Sequence, residues 1–138
     1  MTAITARKDV RRQEAVILPF PIAATTKIVE GALVNVNAAG YAVNATDTTG
    51  ERCVGVASQE TDNTAGAAGD ADAIVWTGGA IDVTTSFSAT IANVGDKVYV
   101  VDNQTVDLAA VTTNDVLVGV IVAVLSTSKV RVILTPYA

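Results

Sequence analysis

Gly31-Ala32-Leu33-Val34-Asn35-Val36, running on to Val54-Gly55-Val56, has a counterpart in Gly95-Asp96-Lys97-Val98-Tyr99-Val100, running on to Val118-Gly119-Val120. Gly31 and Gly95 are 64 residues apart, and so are Gly55 and Gly119, so the two segments align without a gap. In the same register Thr48-Thr49 falls on Thr112-Thr113 and Glu51 falls on Asp115. Agreement over about 27 positions marks one β-rich unit used twice, at about 31–57 and about 95–121. A glycine inside an apolar strand signals a bulge, a bend or a close backbone approach. Its recurrence at Gly55 and Gly119 predicts that the distortion belongs to the unit itself.

Outward from these segments, strand signals recur every 8–12 residues or so, with no period of 3.6. Tyr41-Ala42-Val43, Ala73 to Trp76, Ala80 to Thr84, Lys97 to Val101, Thr105 to Leu108, Leu117 to Leu125 and Val130 to Leu134 read as strands. Glu60 to Asp72 reads as an exposed loop, rich in Gly, Ala and Asp. Ser86 to Ala92 reads as a linking segment with room for a short helix. The expected class is all-β: a small barrel or sandwich over 27–138, built from the duplicated unit, with an extended N-terminal arm over 1–26. Within that arm Val16-Ile17-Leu18 is extended. Pro19 and Pro21 lack backbone donors, which excludes a central strand and suits an edge or a contact with a neighbour.

The chain has 138 residues, half of them apolar, and a formal charge of −5. The charge is uneven. Residues 1–30 carry five cations against three acids, whereas the rest carries four against eleven. An acidic body repels phosphate, so no nucleic-acid partner is expected. The longest apolar run, Val116 to Leu125, is about half of the roughly 20 residues a membrane helix needs, so no membrane partner is expected. Arg11 to Ala24 imitates a secretory leader, but Glu14, Pro19 and Pro21 interrupt it, and it is read as part of the arm.

With no histidine and a single cysteine, the chain lacks the residues for a Ser-His-Asp triad, a Cys-His pair or a Cys-rich zinc site. It also has no phosphate-binding GxxxxGK[ST] loop. Cys53 reads as a small buried hydrophobe. Asp62, Asp70 and Asp72 share one loop with Asn63, yet their spacing fits no calcium motif, and they read as a solvated acidic turn. Trp76 reads as a core residue, and Tyr99 as an outward-facing interface candidate. The expectation is a non-enzyme without catalytic residues, metal or cofactor.

Arg52-Cys53-Val54-Gly55-Val56-Ala57, Thr61-Asp62-Asn63 and Gly66-Ala67-Ala68-Gly69 form the first half of a resemblance. The second half is Ala92-Asn93-Val94-Gly95-Asp96-Lys97-Val98-Tyr99, Asp102-Asn103-Gln104-Thr105-Val106, Val118-Gly119-Val120 and Val130-Arg131-Val132-Ile133-Leu134. Across residues 27–135 the chain resembles the tailed-phage head decoration, or capsid cement, proteins. That resemblance implies a small β-barrel-like protein, made in the host cytoplasm, that adds to the outer surface of a phage head. It would bind the major capsid protein, stabilise the shell, and form a homo-oligomer, with a trimer favoured. The capsid-binding candidates are Arg7, Lys8, Arg11 and Arg12, facing capsid carboxylates, with Val16, Ile17, Leu18 and Phe20 pairing with a capsid or neighbouring strand. The competing expectations are another self-assembling virion protein, such as a tail subunit, and a carbohydrate-binding β module. The scarcity of aromatic residues counts against the latter.

Overall fold

A computed structural model describes residues 6, 16–109 and 111–135. Among the described residues the strands are β1 (Ile17–Pro21), β2 (Thr26–Ile28), β3 (Leu33–Val36), β4 (Ala42–Asn44), β5 (Arg52–Ala57), β6 (Thr61–Asn63), β7 (Asp72–Trp76), β8 (Ala80–Thr85), β9 (Lys97–Val100), β10 (Thr105–Asp107), β11 (Leu117–Ser126) and β12 (Lys129–Leu134). The helical element among the described residues is a 3-10 turn at Ile91–Asn93. The all-β expectation therefore holds. The loop expected over 60–72 contains a short strand, β6, which pairs with β2.

The duplication reaches further than the sequence segments that reveal it. The first unit orders its strands β1-β7-β5-β3-β4, and the second orders them β8-β12-β11-β9-β10, closed into a barrel by β10 on β8. The hydrogen bonds repeat as well. Gly31 N donates to Ala57 O, and Gly95 N donates to Ile121 O. Ala57 N donates to Ala32 O, and Ile121 N donates to Asp96 O. Both middle strands bulge at the same place. Val34 lies opposite Gly55 and Asn35 opposite Cys53, which leaves Val54 as the extra residue. Val98 lies opposite Gly119 and Tyr99 opposite Leu117, which leaves Val118 as the extra residue.

The two units close to different degrees, and two prolines account for the difference. In the second unit β8 meets β10 in parallel over Thr84-Thr85, and Thr84 N donates to Gln104 O at 3.2 Å. In the first unit the equivalent strands meet at one parallel bridge, Ile22 with Ala42. Along β1 the even-numbered amides face β7, as the bond from Ile22 N to Ala71 O fixes. The odd positions therefore face β4, and two of them are Pro19 and Pro21. Pro21 stands where the second unit has Thr84 and has no N–H to give. The first barrel is thus left with a thinner seam.

Inward-facing β-branched residues and alanines fill both units. Ile22, Ile28, Val34, Ala42, Val54, Ala73 and Val75 form the core of the first. Val83, Val98, Val100, Val106, Val118, Ile121, Val130 and Val132 form that of the second. Leu33, Ala45 and Cys53 belong to the first unit by sequence but join the second cluster, so the two barrels share apolar surface. Leu33, taken fully out of water, contributes roughly 1.5–3 kcal/mol to this shared surface. Polar contacts reinforce it. Leu33 N donates to Asn103 O at 2.8 Å. The Asp47 carboxylate accepts from Thr113 N at 2.8 Å and Asn114 N at 2.9 Å.

Candidate functional site

The expected capsid-binding residues fall into two groups. Arg7, Lys8, Arg11 and Arg12 lie outside the described residues. Val16, Ile17, Leu18 and Phe20 are described, and the strand they pair with is β7 of the same chain, with Ile17 opposite Trp76 and Leu18 opposite Val75. Residues 17–22 thus belong to the first barrel rather than to a reaching arm. Pairing with an outside strand at the other edge of β1 meets an obstacle, because that edge presents Pro19 and Pro21 in place of donors.

Alternation along β1 and β7 sorts the side chains. Leu18 and Phe20 turn inward and are half-buried, while Ile17 and Pro19 stay on the outer face. Trp76 is 45% exposed, which corrects its reading as core. In Ala73-Ile74-Val75-Trp76 both phases are apolar, so sequence could not tell which one points in. The structure sets Ala73 and Val75 inside, and the chain ends the strand with Trp76 outside. Ile17, Pro19, Ile74 and Trp76 form an apolar outer stripe. Tyr99, on the outer side of β9, is half-buried beside Asp107 and Leu117. It lies in the closed barrel, whereas Ile17 lies in the sheet of the first unit.

The remaining reactive side chains are engaged structurally. Cys53 is 1% exposed, and burial pushes its thiol up to about 12, so it stays protonated and unreactive. Asp62 accepts from the Thr64 hydroxyl and amide, and these bonds hold its carboxyl below the usual range. Asp70 accepts from Ala67 N at 2.9 Å. Both carboxylates therefore brace turns, and among the described residues no group of three or more potential ligands could hold a metal ion. Across β8 and β12, Arg131 grips Asp82 with two hydrogen bonds of 2.8 and 3.3 Å, an exposed cross-strand pair.

A concave feature that sequence reading missed lies at one end of the first barrel. Phe20, Val36, Asn37, Ala38, Gly50, Arg52 and Val54 line an open cavity of about 330 Å³. Phe20, Val36 and Val54 supply an apolar floor, and Arg52 stands at the rim. The signal that could have found it is the repeat itself: Arg52 occupies the position of Val116. Compared with known proteins, the chain matches no family model, no curated protein and no solved structure.

Proposed function

We propose that the protein is a virion structural component that binds the outer surface of a phage head through the major capsid protein and stabilises the shell, without catalysis or cofactor. The observation that carries this reading is the resemblance over residues 27–135. Its two halves supply the same framework in each barrel, β5 with its bulge in one and β9 and β11 in the other. A duplicated β body with an acidic balance suits a soluble protein that is deposited on a preformed lattice. The cations at Arg7, Lys8, Arg11 and Arg12 are assigned to capsid carboxylates, and the outer stripe of Ile17 and Trp76 to a separate apolar contact. Weak individual contacts suffice, because many copies on one lattice gain avidity.

Self-association, with a trimer favoured, is part of the proposal, and one comparison between the two units supports it. Bonds from Ala89 N to Thr127 O and from Gly95 N to Ile121 O lay residues 89–96 beside the second half of β11. This region exposes Ile91, Val94, Val122 and Leu125. At an offset of 64 the first unit has Lys27, Glu30, Ser58 and Thr61. Ile91 sits in a 3-10 turn where Lys27 sits in β2, so the two units differ here in conformation as well as chemistry, and the apolar set of the second unit lies outside both cores. An uncharged patch is also where copies of an acidic chain repel each other least.

Co-sedimentation with heads that lack the protein tests the assignment. Saturable binding to expanded heads, at a copy number set by the lattice, and none to unexpanded proheads is the expected result. Failure to bind either head form would remove the proposal and favour a tail subunit.

A further inference from the structure

The duplicated barrels provide an internal reference for the open cavity, because the corresponding end of the second barrel is covered. Phe20, Val36, Arg52 and Val54 correspond to Val83, Val100, Val116 and Val118, all of them buried. The cover is the first unit, and its chemistry has two parts. Leu33, Ala45 and Cys53 supply apolar side chains to the second cluster. Asp47 supplies a carboxylate, which takes the amides of Thr113 and Asn114 at 2.8 and 2.9 Å.

At the first barrel the receiving groups are present and the cover is not among the described residues. In sequence register Thr113 and Asn114 align with Thr49 and Gly50, which sit in a turn closed by Glu51 N on Thr48 O with its positive φ at Gly50 rather than at the residue after it, and neither amide has a protein partner among the described residues. Gly50 itself lines the cavity, and Arg52 adds a guanidinium that makes no ion pair with any described acid. The floor is apolar, and the volume of about 330 Å³ accommodates a leucine- or phenylalanine-sized group.

We propose that the open end of the first barrel is a binding site for a partner protein segment presenting an apolar side chain next to a carboxylate. The side chain fills the space between Phe20, Val36 and Val54. The carboxylate takes the Thr49 and Gly50 amides, as Asp47 takes their counterparts, with Arg52 adding a charge-assisted bond. The site stands on its own geometry. It deepens the shell-binding reading only by naming the chemistry a capsid segment would carry.

The test uses the free full-length protein, so its outcome is separate from shell binding. N-acetyl-leucine, which carries both groups, is titrated while the backbone amide signals are followed by NMR, with N-acetyl-leucinamide as the uncharged control. Saturable shifts at Thr49, Gly50 and Val54 are expected, with a Kd in the millimolar range for a ligand this small. The amide should bind about fivefold to tenfold more weakly, and Arg52→Gln should lose a similar factor for the acid. Val36→Phe, which fills the floor, should abolish the shifts while leaving the second-barrel signals in place. Absence of saturable shifts at these amides, or equal affinity for acid and amide, would overturn the proposal. So would displacement of signals from residues 1–15, which would assign the cavity to the chain's own arm.

Discussion

At Gly55 an added Cβ would lie 1.9 Å from the carbonyl oxygen of Trp76, and at Gly119 the same distance from that of Ile133. The atom in the way is backbone in both cases, so relief requires parting two paired strands. Gly55→Ala and Gly119→Ala should each cost about 3 kcal/mol or more, read by urea unfolding. Gly55 carries the extra burden of a φ of 145°. A second residue-scale effect belongs to Asp47. The Thr113 amide above all, helped by Asn114, holds its carboxyl below the ordinary value of 3.8. A depressed folded pKa means that the stabilisation is present above the unfolded value and is lost as pH falls through the folded one. Asp47→Asn should therefore lower stability near neutral pH by about 1 kcal/mol, and the gap to wild type should narrow below about pH 3.8. Thermal unfolding across that range reads both. These two glycines were legible as a repeated distortion, because the spacing survives without a gap. The role of Asp47 was not, because its partners lie 66 and 67 residues away.

Among the elements, β1 and β8 are the same strand built twice, with and without proline. Pro19 and Pro21 face the β4 side and leave a single bridge, while Thr84 and Thr85 form a two-residue ladder. Hydrogen exchange should therefore be faster in β4 than in β10, because β4 is held by β3 along its length and barely at its other edge. Equal protection of the two strands would contradict this explanation of the thinner seam. The equivalence of β1 with β8 and of β7 with β12 escaped the sequence comparison for a physical reason. Between β6 and β7 the first unit carries residues 64–71, where the second has only the turn between β11 and β12. That loop changes the offset from 64 for β5 with β11 to 57 for Trp76 with Ile133, and a gapless alignment cannot follow it. The strands themselves were readable because β-branched residues punctuated by glycine leave few alternatives.

As a whole the molecule joins a closed five-stranded barrel to a rolled five-stranded sheet whose edges meet at a single bridge, and the first unit covers one end of the second. The all-β class and the duplication were legible in the sequence, whereas a barrel over a sandwich, and the closure of the second unit on itself, were not. The open end of the first barrel and the exposure of Trp76 depend on which strand phase points inward and were not. The proposed self-association belongs at this scale. Ile91 is 85% exposed, so Ile91→Glu sets a charge into the patch without disturbing either core, and the fold should be kept. Sedimentation velocity should show the variant shifted toward monomer relative to wild type at the same concentration. An unchanged distribution would move the self-contact elsewhere. The central claim is that the protein reinforces a phage head, and heat-induced DNA release tests it most directly. DNA-filled heads carrying the protein should retain their DNA to a higher temperature than heads lacking it, and adding the protein back should restore the difference. Identical release temperatures for fully decorated and bare heads would contradict a stabilising role.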